Sequence, residues 1–422
     1  MNFKPILIAE ILFMLFLVLS CTGRTSQDDV LQVVDVEGNL DNFQNISLNE
    51  LGAEIKYISL ESGSEIMMRG VYHIDLSGDY IFVSDKRKCI LYNSQGKFLR
   101  LISKRGSGPG EYRLIRDVKI NNNKFFLQSI YGLLEYDING VFSDKIPLPR
   151  IENSVIESWI PINDTLFFGH MPCISGNEPY TAVVFSRSSV YEKFLRGIDR
   201  SYRNPEIKGS GVYLRDASLF RFRDLIYFKE MLGDTLFRMN KENQLEPELV
   251  FSLGNHTPSY DKRFNLLLDE RINYVFISNI YRVNNIFFLD CLYGKYVPVK
   301  RQTPVDFAGA SNWYYTTSIL GIYDLNTSRL SFNNITATEN ILSQTGLIND
   351  IDGGPRFYPS HYINDSTLCM WIRAYDLITH VKSEEFADFK PANPKRKNQL
   401  LEFANSLSVD DNPVLMLATF KE

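Results

Sequence analysis

Histidine, tryptophan and cysteine are scarce in this 422-residue chain, at five, three and five copies. The histidines, His73, His170, His256, His361 and His380, stand one by one, and no pair has the HExxH spacing of a zinc hydrolase. No GxSxG elbow marks a nucleophilic serine. After Cys21 the remaining cysteines, Cys89, Cys173, Cys291 and Cys369, lie far apart without a CxxC pair, so no zinc cluster is indicated. In an exported chain they could form disulfides. Their apolar settings, such as Leu289-Asp290-Cys291, suit small buried core positions better. Basic excess is also absent. The formal net charge of −5 and pI near 5.7 argue against nucleic-acid binding, which normally needs a basic face. Helical periodicity is almost missing beyond the first twenty residues.

The apolar run from Ile6 to Leu19, preceded by Lys4 and interrupted mainly by Glu10, falls short of the about 20 residues that span a bilayer. It has the length and flanks of a signal-peptide core. Val18-Leu19-Ser20-Cys21 resembles the lipobox of bacterial lipoproteins, which implies cleavage before Cys21 and acylation of that cysteine. Several acyl chains hold a protein on a membrane stably, where one does so only marginally. Thr22 to Asp29 ends in Ser26-Gln27-Asp28-Asp29, similar to the acidic tag that sends some Gram-negative lipoproteins to the outer cell surface. A solvated linker reads the same way.

The mature part, about 400 residues, exceeds the usual size of one hydrophobic core. Repeat architectures escape that limit because each unit packs only on its neighbours. A polar turn followed by a short apolar strand recurs six times. It begins at Gly78-Asp79-Tyr80-Ile81-Phe82-Val83, then Asn123-Lys124-Phe125-Phe126-Leu127, then Asp164-Thr165-Leu166-Phe167-Phe168. It returns at Asp224-Leu225-Ile226-Tyr227-Phe228, Asn285-Ile286-Phe287-Phe288-Leu289 and Ser366-Thr367-Leu368-Cys369-Met370. Most copies lead to a second turn, such as Tyr92-Asn93-Ser94-Gln95-Gly96. Spacings of about 40 to about 80 residues match propeller blades of ~40–50 residues with insertions. The expected fold is all-β, a six-bladed β-propeller of four-stranded antiparallel blades. Residues 1–20 are then the signal peptide, 21–29 the lipidated cysteine and tether, and 30–422 the propeller. Val414 to Ala418 is expected to close the ring against Gln32 to Val36.

The first unit carries a family resemblance. Tyr80-Ile81-Phe82-Val83-Ser84-Asp85, Ile90-Leu91-Tyr92, Gly96-Lys97-Phe98-Leu99-Arg100 and Gly106-Ser107-Gly108-Pro109-Gly110-Glu111-Tyr112 resemble NHL- and TolB-like propeller repeats. More closely, they resemble the six-bladed β-propeller lipoproteins common in gut Gram-negative bacteria. Tyr57-Ile58-Ser59-Leu60-Glu61 and Asp352-Gly353-Gly354 through Pro359 extend the likeness. It implies a fold and an outer-membrane, cell-surface location, but no mechanism.

Candidate sites remain open at this stage. Gly106 to Glu111 has no helix after it, so a turn explains its glycines better than a phosphate loop does. Asp164-Thr165-Leu166, Asp234-Thr235-Leu236 and Asp365-Ser366-Thr367 are hairpin turns that also resemble an O-glycosylation acceptor. Trp313-Tyr314-Tyr315 could stack on a sugar or a partner protein, or form an ordinary half-buried strand. Arginines recur near five of six blade starts: Arg69, Arg113 or Arg116, Arg215, Arg271 and Arg356. They could converge on one channel mouth as an anion site. Alternatively, Glu111 and Asp352 could pair with them and fasten blade to blade. The reading is a monomeric, surface-anchored, non-enzymatic binding lipoprotein for a glycan, peptide or protein, with the membrane as its other partner. No catalytic motif, metal site or cofactor is indicated. The alternative is a hydrolase, lactonase or lyase with its site in the central channel.

Overall fold

The computed structural model describes residues 31–421, apart from 69, 131, 152–153, 173–177, 179, 189–190, 196–216, 260–261, 263–265, 267–269, 298–302, 308–309, 315–317 and 337–344. Cys21, its tether, Arg69, Cys173, Arg215 and Tyr315 lie outside the described residues.

Six antiparallel blades form the fold, each begun by its innermost strand. Blade 1 runs His73–Ser77, Tyr80–Ser84, Cys89–Asn93 and Phe98–Leu101; blade 2 runs Ile115–Asn121, Lys124–Ser129, Gly132–Tyr136 and Phe142–Ile146. Blade 3 comprises Ser158–Pro161, Leu166–His170, Ala182–Ser186 and Tyr191–Leu195. Blade 4 comprises Ala217–Phe222, Leu225–Glu230, Thr235–Met239 and Leu245–Ser252. Blade 5 is Phe276–Val283, Ile286–Leu292, Ser318–Asp324 and Arg329–Asn333, with an inserted hairpin of Thr303–Phe307 and Ala310–Tyr314. Blade 6 is His361–Asn364, Thr367–Ile372, Val414–Phe420 and, from the other end of the chain, Ala53–Ser59.

Each of the six recurring sequence runs is the second strand of a blade. These runs are apolar throughout because both faces of the strand are buried. Phe125 and Leu127 pack toward blade 1, whereas Phe126 packs toward blade 3. Cys369 faces blade 1 while Leu368 and Met370 face blade 5. The side-chain period of two thus splits every such run between two inter-blade cores. Cys89, Cys291 and Cys369 are buried free thiols in three different cores. The turn before the second strand has two residues in five blades, and φ is positive at Gly78, Asn122, Asn123, Arg223 and Asn284. Hairpin turns of that length favour positive φ, hence the Gly and Asn.

Two expectations are corrected. Val414–Phe420 closes the ring against Ala53–Ser59, with Ile58 opposite Leu415, and not against Gln32 to Val36. Gln32–Asp35 instead adds a parallel fifth strand to the outer edge of blade 4, and Phe43–Gln44 does the same for blade 5. The first 29 described residues therefore strap blades 4, 5 and 6 in turn. Ala53–Ser59 turns Ala53 and Ile55 to the core shared with blade 5 and Ile58 to the core shared with blade 1, so both its faces are used. Helices are also present: α1 (Ala374–Val381), α2 (Glu384–Asp388) and α3 (Pro394–Asn405) separate the second and third strands of blade 6. Their signals are local. Asn393 caps α3 by accepting from the Lys395 and Arg396 amides, with Pro394 in its first turn. Ser383 caps α2 through the Phe386 amide.

Candidate functional site: the central channel

The six innermost strands surround a cavity of about 740 Å³ that runs from the start of blade 1 to the hairpin turns of blades 4 and 6. Its wall carries three carboxylates, Asp75, Asp117 and Asp365, and three cations, Lys119, Arg221 and Arg223. The balance makes it nearly neutral but densely polar. At one end His73 Nδ1 lies 3.8 Å from Asp117 Oδ1, and Lys119 Nζ lies 3.3 Å from Asp117 Oδ2. Burial lowers the His73 pKa, and burial pushes His361 down to about 4, so both imidazoles are neutral near pH 7. Ser360 Oγ and His361 Nδ1 are 2.8 Å apart.

Deeper in, Asp75 Oδ2 accepts from the Ile120 amide at 2.7 Å, joining blade 1 to blade 2. Burial raises its pKa to about 6 despite the opposing charge of Lys119. Lys119 is held above its ordinary value by Asp117 and Asp75, against the cost of its burial. At the other end Asp365 accepts from the Arg223 amide at 2.7 Å and from the Tyr362 hydroxyl at 2.9 Å. Arg221 donates to the Pro161 carbonyl, and burial lowers its pKa.

Three inner strands slip register beside this space, that of blade 6 between Tyr362 and Asn364. In blade 2 the register slips between Ile115 and Asp117, and in blade 5 between Ile277 and Asn279. These blades face each other across the ring. In each, the residue after the bulge turns its side-chain oxygen to its own next amide: Val118 to Asp117 at 2.8 Å, Ile280 to Asn279 at 3.0 Å. Bulges re-aim side chains in this manner and gather near functional sites. Among the described residues no three His, Cys, Asp or Glu side chains converge as metal ligands.

The chain from residue 31 to 419 matches the model of the family described as Domain of unknown function (DUF4934). It belongs to that family. No curated protein matches this DUF4934 chain. Among solved structures it is similar to a Bacteroides fragilis protein described as exported, at 14% identity and TM-score 0.63, covering 93% of this chain and 100% of that one. It is also similar to a DUF4221 family member from Bacteroides vulgatus, at 10% identity and TM-score 0.45, covering 68% and 86%. At 14% identity the likeness to the Bacteroides fragilis protein speaks for the fold alone.

The DUF4934 channel is lined by none of the four described arginines near blade starts. Arg116 reaches Glu157 Oε2 at 3.3 Å, a bridge from blade 2 to the segment before blade 3. Arg113 donates to Ser107 Oγ. Arg356 donates to the carbonyls of Asn334 and Gly346 and to Thr336 Oγ1. Arg271 keeps Nε and Nη2 buried without a hydrogen bond, and burial lowers its pKa to about 10. Glu111 pairs with Lys104 at 3.2 Å, and Asp352 accepts from Asn349, Tyr57 and the Gly354 amide, so neither meets an arginine side chain in these bonds. Trp313 and Tyr314 lie on the second strand of the blade 5 hairpin, opposite Pro304 and Thr303. Thr235 is 2% exposed, which leaves no room for a glycan there. The channel brings together His73 and His361, two of the histidines that stand singly in the sequence, whereas Asp75, Asp117 and Lys119 escaped the sequence reading. Their one signal is alternation on the strand before each recurring run, as in His73-x-Asp75 and Asp117-x-Lys119.

Proposed function

We propose that this DUF4934 propeller is an exported, lipid-anchored binding protein that holds a small polar ligand in its central channel. The supporting observation is the channel wall: a near-neutral set of donors and acceptors supplied by all six inner strands around about 740 Å³. Binding pockets for small molecules span ~300–1,000 Å³ and fix their ligand with a few placed polar groups. A short glycan or peptide suits such a wall. Export is supported by the signal-peptide pattern and by the description of the Bacteroides fragilis relative. The Val18-Leu19-Ser20-Cys21 motif supports the anchor, and Asp28-Asp29 supports a surface address. Among the described residues no helix is long and apolar enough to cross a membrane.

Thermal-shift and calorimetric screening of the intact lipoprotein in detergent against mono- and disaccharides and dipeptides tests this reading. A Leu219→Trp variant, which fills the channel, is the control. A ligand that stabilises the native chain and not the variant is expected. Equal stabilisation of both, or hydrogen-exchange protection confined to the outer strands, refutes the channel as the site. A second reading, acid–base catalysis, is favoured by the Asp75 carboxyl near 6, where proton transfer at neutral pH is efficient. Turnover of a bound ligand that is lost in Asp75→Asn would replace binding by catalysis.

A further inference from the structure

The channel wall is neutral in sum, but its charges are divided between two ends. Where blades 1 and 2 form the wall, two carboxylates, Asp75 and Asp117, stand against one cation, Lys119. Burial keeps the neighbouring His73 and His361 imidazoles neutral. Lys119 Nζ lies 3.3 Å from Asp117, so Asp75 is the carboxylate left over. Its own hydrogen bond comes from an uncharged donor, the Ile120 amide.

At the hairpin turns of blades 4 and 6 the balance is reversed, with Arg221 and Arg223 against Asp365. Asp365 accepts from the Arg223 amide, a bond that ties two non-adjacent blades together and narrows this end. Arg221 donates through Nη2 to the Pro161 and Ile162 carbonyls, so its guanidinium is the cation left over. Asp224 also acts on Arg221, but it is exposed and stands outside the channel wall.

Asp75 and Arg221 lie on opposite sides of the ring. Asp75 is two residues from the end of the inner strand His73–Ser77, and Arg221 is one residue from the end of Ala217–Phe222. Neither acts on the other: the side-chain charges bearing on Asp75 are Lys119 and Asp117, and the carboxylates bearing on Arg221 are Asp224 and Asp365. Among the described residues neither forms an ion pair. Burial acts against the charge of both, and a charge held in a partly enclosed wall is costly until a counter-charge meets it. A ligand with a cation at one end and an anion at the other supplies both partners. A neutral sugar supplies neither.

We propose that the channel takes a di- or tripeptide with both ends free, its ammonium at Asp75 and its carboxylate at Arg221. This rests on the channel being the binding site and adds the class of ligand. The ammonium donates to the Asp75 carboxylate, and the donors of Arg221 that Nη2 leaves unused meet the peptide carboxylate. An extended peptide advances about 3.3–3.6 Å per residue, so two or three residues fit within about 740 Å³. The rest of the wall, with Leu219, Asn279 and Ile363, is uncharged and suits small neutral side chains.

Calorimetric titration of the full chain in detergent tests this at pH 7.5, above the Asp75 value of about 6. The ligands are Ala-Ala-Ala, its N-acetyl form, its C-terminal amide, the doubly blocked peptide and maltose. The free tripeptide should bind saturably, and blocking either end should weaken it at least tenfold. Asp75→Asn should bring the free tripeptide down to the affinity of its acetyl form and leave the acetyl form unchanged. Arg221→Gln should do the same with respect to the amide. A doubly blocked peptide or maltose that binds as tightly as the free tripeptide, and is lost in Leu219→Trp, overturns the choice of ligand and leaves the channel as the site. Free tripeptide that binds Leu219→Trp as well as the native chain overturns the channel reading and this inference with it. No saturable binding of the free tripeptide at its solubility limit overturns the inference alone. The ligand comparisons need no variant, so a misfolded Arg221→Gln protein does not weaken the test.

Discussion

Beside the pairing of Val414–Phe420 with Ala53–Ser59, ring closure is fastened by one buried side chain, Asn412, and its replacement gives the sharpest test of the fold's energetics. Asn412 is 0% exposed and stands just before Val414–Phe420, the third strand of blade 6. Its Oδ1 accepts from the Met68 amide at 2.7 Å, and its Nδ2 donates to the Glu61 carbonyl at 2.8 Å and the Ile66 carbonyl at 3.1 Å. It thereby binds the end of the chain to the loop that enters blade 1. Asn412→Ala strands one amide and two carbonyls. Met68 and Ile66 are buried, so water cannot repair their share, whereas Glu61 is exposed. At about 1–3 kcal/mol for each of the two groups that water cannot reach, the loss is about 2 kcal/mol or more. Asn412→Asp separates hydrogen bonding from shape, because it is nearly isosteric. One oxygen still accepts from Met68, but the other faces two carbonyls without a proton. Its folded pKa must then lie above the unfolded value of about 3.9. The variant is least stable above that folded pKa and regains stability as the pH falls toward the unfolded one. Urea denaturation of the native chain and both variants at pH 7.5 and pH 5 measures this. An aspartate variant as stable as the native chain at pH 7.5, or an alanine variant within 0.5 kcal/mol of it (about the size of an ordinary surface change), would falsify the account of closure.

Other outcomes follow from the same structure. Asp75 has a pKa raised from 3.8 to about 6 by burial, so its carboxylate opposes folding above pH 4 and increasingly toward pH 7. Asp75→Asn, which can still accept from the Ile120 amide, should be more stable by about 1–2 kcal/mol at pH 7.5 and equal to the native chain near pH 4. A gain that persists unchanged at pH 4 would contradict this. Gly96 sits at φ +79° in the outer hairpin of blade 1, where an added Cβ would lie 2.0 Å from the Ser59 carbonyl oxygen of the closing strand. Gly96→Ala should cost more than about 2 kcal/mol in urea melts, since strain and overlap act together; a neutral effect would show that closure is looser than described. Cys21→Ala should release the protein from membranes or leave its precursor uncut, and mass spectrometry of an unacylated Cys21 in the native protein would end the lipoprotein reading. Replacing Asp28 and Asp29 by Ala should reduce protease accessibility on whole cells, and unchanged accessibility would leave those residues as mere linker.

The blades were legible because their second strands are buried on both faces. A run such as Phe125-Phe126-Leu127 needs apolar residues at every position, and a turn before it needs Asn or Gly. Six such runs at blade-like spacing leave few alternatives. Closure was harder to read. Gln32 to Val36 and Ala53 to Ser59 are both short and β-prone, and pairing partners across about 360 residues leave no local trace. The deciding difference is that Ala53–Ser59 buries Ala53 and Ile55 on one face and Ile58 on the other, while Gln32–Asp35 buries only Val34. The helices escaped because α2 spans little more than a turn and α1 follows a strand directly. Caps such as Asn393-Pro394 and Ser383 were the available signals.

The candidate sites were less legible for a structural reason. Within a blade, both faces of the second strand, and much of the third, are committed to the cores shared with neighbouring blades. Side chains free for chemistry are left on the innermost strand, at bulges and in the segments between blades. There a single residue's direction matters more than its pattern, and a bulge changes that direction without altering composition. Arg116 is an instance. It stands one position from Asp117, yet Asp117 lines the channel while Arg116 reaches Glu157 beside a cleft between blades 2 and 3. An arginine counted near a blade start therefore belongs to one of two surfaces, according to whether the register slips there. The slip in blade 5 sends Asn279 to the channel and Ser278 to Asp290 in the same way. Bulged inner strands thus turn neighbouring residues to two surfaces, the shared channel and the seam between blades, where Tyr358 donates to Asp290.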